Sequence, residues 1–196
     1  MSEVVLYHHV QGLTEGVRSF ADELRQAGHT VHTPDLFDGR TFDTIEEGMS
    51  FARKAGFAEL AASGVAAANG IGHDAVYAGI SFGVMVAQEL AQTRPGARGA
   101  VFMSGCLPVS EFGDAWPDGV PVQIHGKTAD PFFAEDVEAA RALVDSTDQA
   151  ELFLYEGDEH LFADSSLPAY DSNAAALLTE RVLAFLAVVD AEHVAV

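Results

Sequence analysis

Short runs of apolar and β-branched residues recur along the chain: Val4 to His9, His29 to Pro34, Asp74 to Ile80, Gly99 to Ser104, Val120 to His125 and Glu151 to Tyr155. Their apolar character is nearly continuous rather than alternating, which is the pattern of strands covered on both faces. Between them lie Ala- and Leu-rich segments that read as helices: Thr14 to Ala27, Ile45 to Asn69, Ser81 to Thr93, Ala134 to Val144 and Ser172 to Val189. Thr14 is a suitable N-cap, and Gly28 and Gly70 stand where helices should stop. This alternation predicts an α/β architecture, a doubly wound, mostly parallel sheet with helices on both faces and right-handed crossovers. The segment from Gly105 to Gly119 has no such pattern and carries Pro108 and Pro117. Loops of that length tend to serve function.

Composition bounds what the pattern can become. The 196 residues, 48% of them hydrophobic, suit a single domain over 1–196 that buries its own core. The start, MSEVVLYHH, lacks the basic leader and long apolar run of a signal peptide. No stretch approaches the roughly 20 apolar residues of a membrane helix. One cysteine, Cys106, can form neither an internal disulfide nor a Cys-rich zinc site. These features predict a cytoplasmic protein. Ten Lys and Arg against 30 Asp and Glu give a net charge of −20, which disfavours nucleic acid and anionic membrane as partners. The expected partner is a small-molecule substrate, and the expected assembly is a monomer or a homodimer.

Candidate chemistry begins where the third strand runs into Gly79-Ile80-Ser81-Phe82-Gly83, followed by the helical VMVAQELAQ. A G-x-S-x-G between a strand and a helix is a nucleophile elbow. The serine is held in a tight turn, and the crowding of strand and helix demands glycine on either side. In that architecture the acid and then the histidine follow the serine in sequence. Asp130 lies in the loop after the strand ending at His125, and His160 follows the last strand, so both fall at the sheet edge that carries Ser81. His160 would take the Ser81 proton and return it to the leaving group, with Asp130 orienting the imidazole. Asp158 and Asp164 are alternative acids, though they read better as solvated loop carboxylates. His125, within a strand, reads as a packed, hydrogen-bonded histidine. His29, His32, His73 and His193 have no placement that suggests chemistry. A zinc site from His8, His9 and an acid would need a backbone distortion, because neighbours on a strand face opposite ways.

The first strand ends in His8-His9-Val10-Gln11-Gly12. In a doubly wound sheet it neighbours the third strand at the switch point, where ligands bind. The backbone N–H groups of Val10 and Phe82 are therefore the expected oxyanion hole. His9 is either a substrate-binding group at the mouth of this crevice or a surface or capping histidine. Leu107, Trp116, Phe132 and Phe162 are expected to line an apolar substrate pocket, together with Phe82 and Phe133; each could equally be core packing.

These residues resemble the dienelactone hydrolase family. The likeness lies in AGHTVHTPDLFDGRTF after the first helix, AGISFG at the elbow, HGKTADPFF at the acid, EGDEHLFAD at the base and SLPAYDSNAAALLTERVLAFL at the end. The resemblance implies an α/β-hydrolase fold, trimmed to about six strands because those that usually precede the first one are missing. It also implies a cofactor-free attack on an ester, lactone or thioester carbonyl. The best-known members carry cysteine at the nucleophile and glutamate where this chain has His9. A serine hydroxyl is not poised as a thiolate, so its activation falls to His160 and Asp130. The competing readings are a thioesterase, a non-hydrolytic enzyme using His9 and His160 for cyclisation or elimination, and a ligand-binding protein on the same scaffold.

Overall fold

The computed structural model describes residues 1–194, with side chains described through Ala191, so the side chain of His193 lies outside the described residues. The strands are β1 Glu3–Tyr7, β2 Thr30–His32, β3 Ala75–Ile80, β4 Gly99–Met103, β5 Val122–Lys127 and β6 Ala150–Tyr155. They form one six-stranded sheet in the order β2-β1-β3-β4-β5-β6, with every pairing parallel. Near-continuous apolar strands are thus explained by what covers them. One face carries Val5, Tyr7, Tyr77, Phe102 and Ile124, and the other carries Val4, Leu6, Val76, Ala78 and Val101.

The helices are α1 Glu15–Gln26, α2 Ile45–Ala55, α3 Phe57–Ala67, α4 Phe82–Thr93, α5 Phe133–Ser146 and α6 Ser172–Val194. Helices α1 and α6 bury Val17, Phe20, Leu24, Leu178 and Val182 against one face of the sheet. On the other face, α2 to α5 contribute Ala52, Leu60, Val84 and Leu143. The Thr14 hydroxyl accepts from the Val17 N–H, so this residue is the N-cap its sequence position suggested.

The single helix expected over Ile45 to Asn69 is instead two. Gly56 takes φ 92° and ψ 121°, a conformation closed to ordinary L-residues, and the chain turns there from α2 into α3. Apolar periodicity continues on either side, so only the glycine marked the break. The bend places Phe57, the first residue of α3, with its ring 6.0 Å from that of Phe82, just past the C-terminal edge of β3.

That edge is where the winding of the sheet reverses. β1 connects outward to β2 through α1, and the chain then crosses back through α2 and α3 to β3 on the other side of β1. A crevice opens outside the strand ends at such a point. Among the described residues, no helix is long and apolar enough to cross a membrane.

Candidate active site

Ser81 sits between β3 and α4 with φ 49° and ψ −112°, a strained conformation for a residue with a side chain. The glycines on either side are enforced by close packing. A Cβ at Gly79 would strike the backbone of Gly83, and one at Gly83 would strike the carbonyl oxygens of Tyr7 and His8. The Ser81 N–H is also tied to the Met103 carbonyl at the end of β4, 2.7 Å away. The turn therefore projects its hydroxyl from the sheet edge with little freedom to relax.

The Ser81 hydroxyl and His160 Nε2 are 2.7 Å apart, and His160 Nδ1 lies 2.6 Å from Asp130 Oδ2. A proton on Nδ1 donates to the carboxylate and leaves Nε2 free to accept from serine. Asp130 is 1% exposed, and its second oxygen accepts from the Phe132 N–H at 2.9 Å. The fold thus brings together the three residues that sequence order singled out. Neither the Val10 N–H nor the Phe82 N–H has an intramolecular acceptor among the described residues. Phe82 opens α4, so its free N–H points out of the positive end of that helix.

A cavity of about 460 Å³ opens over Ser81 and His160. Val10, Phe82, Leu107 and Phe132 line it, as expected, and the exposed Phe132 ring lies 4.8 Å from the His160 imidazole. Sequence reasoning missed the opposite wall. Ile45, Met49 and Phe57 reach the cavity from α2 and α3, and Met85 reaches it from α4. Ser104 was missed too. It has φ 55°, and its hydroxyl donates to the His160 carbonyl at 2.6 Å, fixing the backbone of the histidine from the end of β4. The signal was a Ser-Gly pair after an apolar strand at the Ser81 edge.

Several expectations need correction. Trp116 does not line the cavity: it is buried against Phe102, and its indole N–H donates to the Val120 carbonyl. Phe162 and Phe133 are each 1% exposed and are core residues, packed against Tyr155 and over Gly126 respectively. The Gly105–Gly119 loop is held from below by Gln88. Its amide bonds both the N–H and the carbonyl of Leu107, which presents that side chain to the cavity.

The histidines near the first strand also differ from expectation. β1 ends at Tyr7, so His8 and His9 lie past the strand, and both are fully buried. His8 donates to the His9 carbonyl and accepts from the Leu36 N–H, and burial pushes its pKa down to about 4. His9 is neither at the crevice mouth nor on the surface. It bonds Asp164 at 2.7 Å and does not line the cavity, so it is unavailable as an acid or base there. Asp164 is not a solvated carboxylate: it is 2% exposed and accepts from His9, Thr14 and Ser166. Burial alone would raise its pKa, but those hydrogen bonds outweigh burial and bring it down to about 2.

Two remaining groups are excluded as nucleophile or base. Cys106 is buried, and desolvation pushes its thiol up to about 12. His125 is a packed residue, bonded at Nδ1 to the Tyr155 hydroxyl, and burial drives its pKa down to about 3. Among the described residues no cluster of His, Cys, Asp or Glu could hold a metal ion.

Comparison with known proteins bears on the family and the fold. The model of the dienelactone hydrolase family matches residues 1–189. A dienelactone hydrolase-like promiscuous phosphotriesterase from metagenomic libraries superposes with a TM-score of 0.76 at 20% identity, over 96% of this chain and 87% of its own. A thermophilic esterase from the planctomycete Thermogutta terrifontis, with butyrate bound, gives 0.68 at 16% identity, over 95% of this chain and 82% of its own. No curated protein matches this chain by sequence. The fold is that of the α/β-hydrolases, with six parallel strands among the described residues.

Proposed function

This chain belongs to the dienelactone hydrolase family, and we propose that within it the protein is a serine hydrolase cleaving small esters or lactones through an acyl-enzyme on Ser81. The observation that carries this reading is the unbroken relay from the Ser81 hydroxyl to His160 at 2.7 Å and on to Asp130 at 2.6 Å. In the acylation step Ser81 Oγ attacks the carbonyl carbon while its proton passes to His160 Nε2. The carbonyl oxygen becomes an oxyanion, held by the N–H groups of Val10 and Phe82. Collapse of this intermediate breaks the bond to the leaving oxygen, which takes the proton from His160. Water then repeats the sequence on the acyl-enzyme, giving up its proton to His160 and releasing the acid. Throughout, Asp130 stabilises the imidazolium.

The cavity supports this substrate class, although Glu46, Arg53, Glu135 and Asp136 share its wall with the apolar side chains. Its volume of about 460 Å³ suits a small molecule, and Met49, Phe57, Phe82, Met85, Leu107 and Phe132 favour apolar acyl or alcohol groups. The serine relay suits oxygen and thioester leaving groups alike, so a thioester is within its chemical range. Phosphotriester cleavage, named for one structural neighbour, is a second reaction to assay on the same nucleophile. The test is burst release of a chromogenic alcohol from a short-chain ester. The expected result is a burst equal to the enzyme concentration that vanishes in Ser81→Ala. Full turnover in that variant would overturn the reading.

A further inference from the structure

Away from the Ser81 relay, the chain buries a second histidine–aspartate pair. His9 and Asp164 are 0% and 2% exposed, and His9 Nε2 stands 2.7 Å from Asp164 Oδ2. The other ring nitrogen, Nδ1, accepts from the Gln11 N–H at 3.2 Å. A nitrogen that accepts carries no proton, so the ring is neutral and its Nε2–H donates to the carboxylate. Asp164 takes further hydrogen bonds from Thr14, the N-cap of α1, and from the N–H and hydroxyl of Ser166 at 2.8 and 2.6 Å. The contact is close enough that a Cβ on Gly16 would overlap the carboxylate.

What this network joins matters more than its size. His9 directly precedes Val10, and its imidazole bridges from its own backbone to the N–H of Gln11, so it fixes the turn that carries Val10. Asp164 belongs to the turn that follows His160, where its N–H donates to the Leu161 carbonyl at 3.0 Å. A buried polar cluster of this kind costs desolvation that an apolar pair would not, and what it adds is a fixed geometry. We propose that His9 and Asp164 form a positioning clamp that holds the oxyanion donor Val10 in register with the base His160. The inference rests on the serine-hydrolase reading given above. His9 and Asp164 touch no substrate in this scheme, and they act only through the backbone of the two turns.

The two hydrogen bonds of His9 can be broken one at a time. His9→Asn keeps an acceptor for the Gln11 N–H but does not reach Asp164, whereas His9→Gln reaches Asp164 and leaves the Gln11 N–H unpaired. Because small misplacements of reacting groups are costly, both should lower kcat on a short-chain p-nitrophenyl ester by roughly 10- to 100-fold with KM within about threefold. Affinity for a trifluoromethyl ketone, whose adduct with Ser81 carries an oxyanion, should fall in parallel. At the other partner, Asp164→Asn retains an acceptor for His9 and should recover most of the kcat lost in Asp164→Ala. Where a His9 variant does not fold by circular dichroism, this Asn-against-Ala comparison decides. A clamp that served stability alone would lower the melting temperature while leaving kcat and ketone affinity at wild-type values, and that outcome overturns the proposal. A wild-type protein that neither hydrolyses the ester nor binds the ketone would instead overturn the underlying reading.

Discussion

Two histidine–aspartate pairs, His160 with Asp130 and His9 with Asp164, are held at nearly equal distances of 2.6 and 2.7 Å. Their difference lies in the nitrogen that faces away from the carboxylate. In His160 it meets the Ser81 hydroxyl at the floor of the cavity, and in His9 it is taken up by the Gln11 N–H. A carboxylate therefore does not make a histidine a base. On the proposed reading, the group at the other nitrogen decides between chemistry and geometry, and one sheet edge uses the same side-chain pair for each.

The sharpest way to break this comparison is to neutralise each carboxylate in turn. Asp130→Asn removes the charge that supports the imidazolium and should cost roughly 10³- to 10⁴-fold in kcat/KM. Asp164→Asn, acting at a distance, should cost no more than about tenfold. Steady-state kinetics on one chromogenic ester checks both, and equal losses would erase the distinction between the pairs.

Acid titration tests the His9–Asp164 pair through stability. The Asp164 carboxyl is lowered from 3.8 to about 2 in the folded state. A depressed carboxyl stabilises the fold at pH values above its unfolded pKa and loses that contribution as pH falls through the folded one. The contribution is roughly 2 kcal/mol, present above about pH 4 and lost towards about pH 2. Urea unfolding of wild type and Asp164→Asn should therefore differ at about pH 6 and converge as the pH is lowered. A gap that persists in acid would contradict this assignment.

A smaller effect is expected beneath His160. Lys127, 2% exposed, donates to Glu159 at 2.5 Å and to Asp171 at 2.7 Å. Burial alone would lower its pKa, but those two carboxylates more than reverse this and hold it above the usual lysine value. Lys127→Met leaves both acids without their cation beside the His160 turn and should lower Tm by about 4 °C. Scanning calorimetry checks it. Smallest is Phe132→Ala: the ring is 51% exposed and covers His160. Its loss should raise KM about threefold with little change in kcat, since it removes binding area common to ground and transition states.

Much of this arrangement was legible in the sequence, for physical reasons that differ from residue to residue. The inner strands β1, β3, β4 and β5 are buried along nearly their whole length and are mostly apolar, so they could be read from the hydrophobic pattern. The part-exposed edge strands β2 and β6 showed only as shorter apolar runs with less sharply marked ends. The elbow was legible because close packing at Gly79 and Gly83 leaves a fixed spacing around Ser81. Asp130 and His160 followed from strand order. His9 and Asp164 were not legible, because a buried polar pair leaves no periodic mark and its members are 155 positions apart. The cavity wall from α2 and α3 was hidden for another reason. Gly56 breaks the helix within an unbroken apolar pattern, and whether a glycine in such a pattern is tolerated or ends the helix depends on tertiary packing. Trp116 and Phe162 misled because aromatic side chains on loops pack inward as readily as they line pockets.

The central claim, that Ser81 is the nucleophile activated by His160, is tested most directly by mapping the adduct of a fluorophosphonate probe by mass spectrometry. The account predicts one adduct, on Ser81, formed by the wild-type protein and suppressed in His160→Ala. An adduct on another residue, or labelling of Ser81 at the same rate without His160, would contradict it.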